Sequence, residues 1–206
     1  MRNLNIRKLI NLISLSIILI AFYFLIIKNN LFLFLGHLLF SAILYLPRVI
    51  YKNLNLRKIF GSRLLDWIEI FFSFSMILAV AGYLWLFDKL YNYDSYVHFF
   101  TPLLYFLVVA IITSAILQYY KIENNKSDLI LLSLVIVMSL LLFWELFEYF
   151  VTVKLNYDMF FEKRQPNDTL YDIVIGFLSL PVGSIIIYKY HDLFFDSIKK
   201  EKNKRI

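Results

Sequence analysis

Six stretches of this chain, residues 9–27, 31–47, 67–87, 96–119, 129–153 and 170–189, run for 17 to 25 residues with few or no charged side chains. About 20 apolar residues in a helix cross the roughly 30 Å hydrocarbon layer of a bilayer. In that layer only helices and closed barrels satisfy their own backbone polar groups, and these lengths are those of helices. The chain is therefore predicted to be all-α, a polytopic membrane helix bundle with six transmembrane helices. The six stretches hold 126 of the 206 residues and leave 80 for everything else. The longest connection, 48–66, has 19 residues, below the roughly 50 that a separate folded domain needs. Residues 1–206 thus read as a single integral membrane domain. An apolar fraction of 61% and a mean hydropathy of +0.70 agree, because soluble domains lie near about 45 to 50% apolar.

Charge fixes the expected orientation. With the N-terminus inside, 16 of the 21 Lys and Arg residues fall on the cytoplasmic side, including Arg48, Lys52, Arg57, Lys58, Arg63 and the tail from Lys199 to Arg205. Five fall outside: Lys28, Lys89, Lys154, Lys163 and Arg164. Such a bias over short loops predicts a multi-pass protein of the cell membrane with both termini cytoplasmic. The N-terminal basic start resembles a signal peptide, but its apolar run lasts 19 residues with no small-residue cleavage site, so it reads as a retained first helix. The net charge of +6 lies in segment flanks and the tail, which predicts membrane lipids as partners and no nucleic acid. Absence of cysteine excludes disulfides, thiol nucleophiles and thiolate metal sites.

Polar residues inside the stretches are more informative. Asp66 and Glu69 at the start of the third stretch are expected at the headgroup level. Tyr91, Tyr93, Tyr96, Tyr149, Tyr157 and Tyr171 fall near the outer boundary and are expected to form an aromatic belt, and Met159, Phe160 and Phe161 to lie on the membrane. Trp144 is set apart because it adjoins two acids. Lone His37 reads as a packed, hydrogen-bonded residue.

Under this topology three polar pairs share one depth. Asp94 and His98 open the fourth helix, Glu145 and Glu148 lie near the outer end of the fifth, and Asp168 and Asp172 open the sixth. Spacings of i,i+3 and i,i+4 put each pair on one helix face. Ionisable residues at membrane depth are a functional signal by default. Two carboxylates about 6 Å apart repel by roughly 3 kcal/mol at an effective dielectric of about 20. Five acids and one histidine therefore need protons, a cation, or Lys154, Lys163 or Arg164 folded in from the loop. Bland roles compete: Asp94 as an N-cap, Thr169 with Asp172 as a capping box, and the glutamates at the headgroups.

The fragments YDSYVHFF, FWELFEYF and NDTLYDIVIG, in this order, resemble the bacterial membrane-protein family DUF2238, also known as YjdF, with its DxxxH, WExxE and DTxxD pattern. Asp94, His98, Trp144, Glu145, Glu148, Asp168, Thr169 and Asp172 match it, over a resemblance running from about the second helix to the end of the sixth. A more distant likeness is to VanZ-like proteins, a family associated with teicoplanin resistance. That pattern wants an asparagine where this chain has Gly176, and an arginine closer than Arg164. The resemblance implies a shared polar site and names no chemistry for it.

Known engines are missing: there is no HExxH, GxSxG or glycine-rich phosphate loop, and ExxE stands where di-iron bundles carry ExxH. This argues against serine hydrolases, ATPases and dinucleotide enzymes. Three expectations follow. In the first, Asp94, His98, Glu145, Glu148 and Asp172 are catalytic, and His98, Glu145, Glu148 and Asp172 ligate a divalent metal that binds or acts on a lipid-linked or headgroup substrate. Trp144, Asp168 and Thr169 support them. The second is a cation- or proton-coupled transporter, for which internal repeats and midplane charges are lacking. The third is a non-catalytic assembly partner whose polar cluster locks three helices.

Overall fold

A computed structural model describes residues 6–53, 55–56, 60–90, 92–122, 125–155 and 168–203, without the side chains of 155, 168 and 193–203. The described residues are helical with short connections and contain no strand. The elements are α1 (Ile6–Ile26), α2 (Leu31–Ile43), α3 (Leu46–Asn53), α4 (Arg63–Ala81), a π-helical turn (Gly82–Leu86), α5 (Phe87–Lys89), α6 (Tyr93–Tyr119), α7 (Lys126–Leu155) and α8 (Asp168–Asn203). Among the described residues six spans are long and apolar enough to cross a membrane: Ile6–Ile26, Leu31–Asn53, Arg63–Lys89, Tyr93–Tyr119, Lys126–Lys154 and Thr169–Asp192. The chain divides into two compact units, Met1–Val80 with Asp196–Ile206, and Ala81–Phe195.

In the first unit, α1 buries Ile10, Ser14, Ile17, Ala21 and Phe24, a single stripe at helical spacing. Small residues let α2 approach closely, and the Ser14 and Ser41 hydroxyls meet at 2.7 Å. The connecting turn is tight because Asn29 takes a left-handed conformation (φ 48°) and the Asn30 side chain caps α2 by accepting from the Leu33 amide at 2.9 Å. His37 is buried, its Nδ1 lying 2.7 Å from the Leu33 carbonyl and its ring 4.8 Å from that of Phe24. It is the packed residue expected. Helix α2 stops at Ile43 because Pro47 has no amide to bond the Ile43 carbonyl, and α3 resumes beyond the break. Ile10, Ile17, Leu44, Met76 and Val80 form the apolar core of this unit.

The resumed helix places Arg48 against α4. Its guanidinium bonds both carboxylate oxygens of Glu69, Nε to Oε1 and Nη2 to Oε2 at 3.3 Å. Glu69 is only 2% exposed: it is paired inside the protein, a partner that the sequence reading did not assign to it. Helix α4 starts at Arg63, which carries Glu69 into its second turn and onto the buried face.

In the second unit α6 is central. Of its apolar stretch 61% is buried, against 33% or less in the other five spans. Two glycines seven apart on one face of α8 permit close packing. A Cβ on Gly176 would stand 2.1 Å from Leu141 Cδ1 of α7 and 3.5 Å from the His98 carbonyl of α6, and one on Gly183 would stand 2.7 Å from the Phe106 ring. Pro102 lies inside α6 and has no amide for the His98 carbonyl one turn back. At the entry to α6, the Phe87 ring lies over Gly82 and meets Tyr93 edge-on at 5.5 Å. Tyr93 is therefore buried and does not join the aromatic belt expected of it. Tyr96, Tyr149 and Tyr171 are exposed, as belt residues would be; Tyr91, Tyr157 and Met159 to Phe161 lie outside the described residues.

Candidate functional site

Helix geometry builds the site at one end of the second unit. Asp94 and His98 stand in the first two turns of α6, where Asn92 in a left-handed conformation (φ 58°) starts the helix. Asp94 is thus the second residue of α6 and not its cap. Asp172 lies in the second turn of α8, and Glu145 and Glu148 lie in the second half of α7. Because α7 runs from the far end, its late turns meet the early turns of α6 and α8. The close approach at Gly176, one turn below Asp172, holds α8 against α6 at the level of His98.

His98 is the hub. Its Nδ1 lies 3.2 Å from Glu145 Oε1, while its Nε2 lies 3.6 Å from Asp94 Oδ1 and 3.9 Å from Asp172 Oδ2. One imidazole therefore touches acids from all three helices, one on one nitrogen and two on the other. Asp94, His98, Glu145, Glu148 and Asp172 are all buried, at 2 to 9% exposure. The Glu145 oxygen is close to the ring nitrogen but off the line of its N–H, and it accepts no hydrogen bond. Distance and direction disagree here, and direction decides whether an oxygen is satisfied.

Electrostatically, up to four negative charges face at most one positive charge on the imidazole, in surroundings that solvate neither well. Two triads of donor atoms, Asp94, His98 and Asp172 and then His98, Glu145 and Glu148, each lie within 4.8 Å of one another. Metal–ligand bonds of about 2.1 to 2.5 Å set neighbouring donors roughly 3.0 to 4.0 Å apart. The 3.2, 3.6 and 3.9 Å contacts of His98 fall in that range. This is a His-and-carboxylate group that could hold a metal ion.

The remaining expected residues are placed differently. Trp144 is 39% exposed and packs on Phe147 with ring centroids 5.6 Å apart. Thr169 lies in the first turn of α8 and is half-buried. Asp168 begins α8, but its side chain lies outside the described residues, as do Lys163 and Arg164. Lys154 is exposed. One group went unnoticed in the sequence: the Thr101 hydroxyl, buried with no hydrogen-bond partner. Thr101 is three residues after His98 and seven after Asp94, hence on the same face of α6, and that spacing was the available signal.

A family model described as "Predicted membrane protein (DUF2238)" matches residues 10–193, which span every site residue. No curated protein and no solved structure is significantly similar to the chain.

The chain belongs to the DUF2238 family and is a multi-pass membrane protein.

Proposed function

We propose that this DUF2238 protein holds a divalent cation on His98, Glu145 and Glu148, with Asp94 and Asp172 facing the other ring nitrogen of His98, and that the cation binds the phosphate of a lipid-linked or headgroup substrate at the outer membrane face. The observation that carries the reading is the buried Glu145 oxygen, beside an imidazole yet without a hydrogen bond, in a pocket whose other donors are also acids. Four buried carboxylates sharing one imidazole carry an uncompensated charge that costs several kcal/mol by order of magnitude, and a cation removes that cost. Oxygen-rich ligation with one imidazole suits Mn, Mg, Ca or Zn better than Cu. An anionic headgroup is repelled by bare carboxylates and attracted once a cation dominates the local charge. Loop charge supports an outer location for this end of the helices.

With the cation bound on one ring nitrogen, the carboxylate facing the other nitrogen fixes the tautomer and aims the ring, the usual second layer of a histidine metal site. The test is metal analysis of purified protein after exposure to Mn, Mg, Ca and Zn, beside His98→Ala and Glu145→Gln. About one ion per chain in the parent and loss in both variants is expected. No metal in any preparation, with unchanged lipid chemistry, overturns the proposal.

A second reading has its own observation. Because His98 touches carboxylates from α6, α7 and α8, the cluster also fits a lock that holds three helices together. On that reading charge neutralisation lowers thermal stability and leaves function intact.

A further inference from the structure

The opposite end of the second unit carries a different feature. A groove of about 550 Å³ between α7 and α8 is lined by Ile130, Ser184, Ile185, Tyr188 and Lys189. The α8 residues follow at i, i+1, i+4 and i+5, one helix face, and Ile130 stands one turn after Lys126 on the facing side of α7. Beside Tyr188, the Lys126 ammonium lies 5.5 Å over the ring and donates to the Tyr188 carbonyl at 3.3 Å. The Lys189 ammonium lies 5.4 Å over the Tyr190 ring. Helix α8 breaks at Tyr190 (φ −110°, ψ 16°), so these residues sit where the helix changes direction.

From Asp172 to Tyr188 is about 24 Å along α8 at 1.5 Å per residue. That is close to the thickness of the hydrocarbon layer, roughly 30 Å, so a helix with Asp172 near one surface has Tyr188 near the other. Two ammonium groups near this end of α8, each leaning on a tyrosine ring, accompany an apolar groove whose walls remain exposed, Ile185 at 66% and Tyr188 at 64%. Lys126 has three N–H donors and uses one on the carbonyl, which leaves two for an anion. Of the nearby acids, Asp128, two residues from Lys126, faces away on α7, and the Asp192 carboxylate lies 2.9 Å from His191 Nδ1.

We infer that this groove binds an anionic phospholipid of the cytoplasmic leaflet, with its phosphate between Lys126 and Lys189 and an acyl chain along Ile130 and Ile185. A neighbouring protein helix would cover the isoleucines but would need an acidic residue at this depth to meet the two ammonium groups. A phospholipid supplies both halves. The inference is independent of the cation site at the other end of the unit.

The test uses the full chain in detergent, titrated with phosphatidylglycerol or phosphatidylcholine and read by native mass spectrometry and thermal shift. Phosphatidylglycerol is expected to be retained about tenfold more tightly. Lys126→Gln with Lys189→Gln removes that preference, Lys126→Arg with Lys189→Arg keeps it, and glycerol phosphate without acyl chains gives no shift. Equal retention of the two lipids by the parent overturns the inference. So does a preference that survives in the double glutamine variant, or one abolished instead by neutralising Lys199, Lys200 and Lys202. An equal shift from glycerol phosphate also overturns it, because the acyl groove would then contribute nothing.

Discussion

Glu145 Oε1 of α7 lies 3.2 Å from His98 Nδ1 of α6 and accepts no hydrogen bond, although Glu145 is only 2% exposed. Two helices thus present complementary groups that stop short of satisfying one another. This juxtaposition separates a cation site from a structural lock.

Replacing Glu145 with Gln keeps its shape and removes one negative charge. For a cation site, bound metal falls at least about tenfold, since one charged ligand is worth more than about 1.4 kcal/mol. The metal-free protein melts at the same temperature as the parent or higher, because a buried repulsion is relieved. Metal content and melting temperature, measured on the same preparation, check both. Undiminished metal binding contradicts the site, and a lower melting temperature in metal-free protein identifies the lock.

Stripping metal from the parent provides a matching test. A ligand present at about 100 times its Kd stabilises the folded chain by about 2.7 kcal/mol. Chelation is therefore expected to lower the melting temperature and re-addition of one of the four ions to restore it. His98→Ala should show neither change. A parent whose melting is indifferent to chelator and ion alike has no such site.

At Gly176 a methyl group meets Leu141 at 2.1 Å, and Leu141 is itself buried. Gly176→Ala is expected to cost about 1 to 3 kcal/mol by overpacking and to weaken metal binding by displacing Asp172 from His98. Leu141→Ala in the same chain makes room. The pair should couple by about 1 kcal/mol or more in a double-mutant cycle of unfolding; simple additivity contradicts the contact.

Removing the guanidinium from Arg48 leaves Glu69 buried with its charge uncompensated. Arg48→Met is expected to destabilise by about 3 kcal/mol, the low end for breaking a buried pair, because Arg48 is partly exposed. Arg48→Met with Glu69→Gln should recover most of the loss. Reversible unfolding in mixed micelles gives both values, and a neutral single variant would show the pair to be dispensable.

Orientation can be read directly, because the chain has no cysteine to interfere. Asn92→Cys, at the start of α6, should react with a membrane-impermeant maleimide added outside intact cells. Asn125→Cys, just before α7, should react only after permeabilisation. The reverse pattern would move the acidic site to the cytoplasmic face.

The spans were legible because hydrocarbon enforces long runs without charge, a demand no local preference overrides. The clustering of Asp94, His98, Glu145, Glu148 and Asp172 was legible too: helices alternate in direction, so early turns of two and late turns of the third share a depth. Partners were harder. Glu69 next to Asp66 has no evident partner until the break forced by Pro47 is known to aim Arg48 at it. Tyr93 looks like a belt residue unless the π turn and Gly82 are seen to tuck the Phe87 ring beneath it. Trp144 neighbours Glu145 in sequence, yet adjacent residues of a helix point about 100° apart, and its ring goes to Phe147. Each miss concerns a side chain whose direction depends on an irregular turn or on its neighbour's face, and apolar periodicity carries neither.

Pro102 gives the acidic end of α6 a distinctive mechanical property. The rung that would tie position 102 to the carbonyl of residue 98 is chemically absent, so bending there breaks no hydrogen bond of the ladder. The two turns bearing Asp94 and His98 form a short lever above that joint. On the proposed reading, a small tilt of this lever would open or tighten the cluster of Asp94, His98 and their partners without melting the rest of the helix.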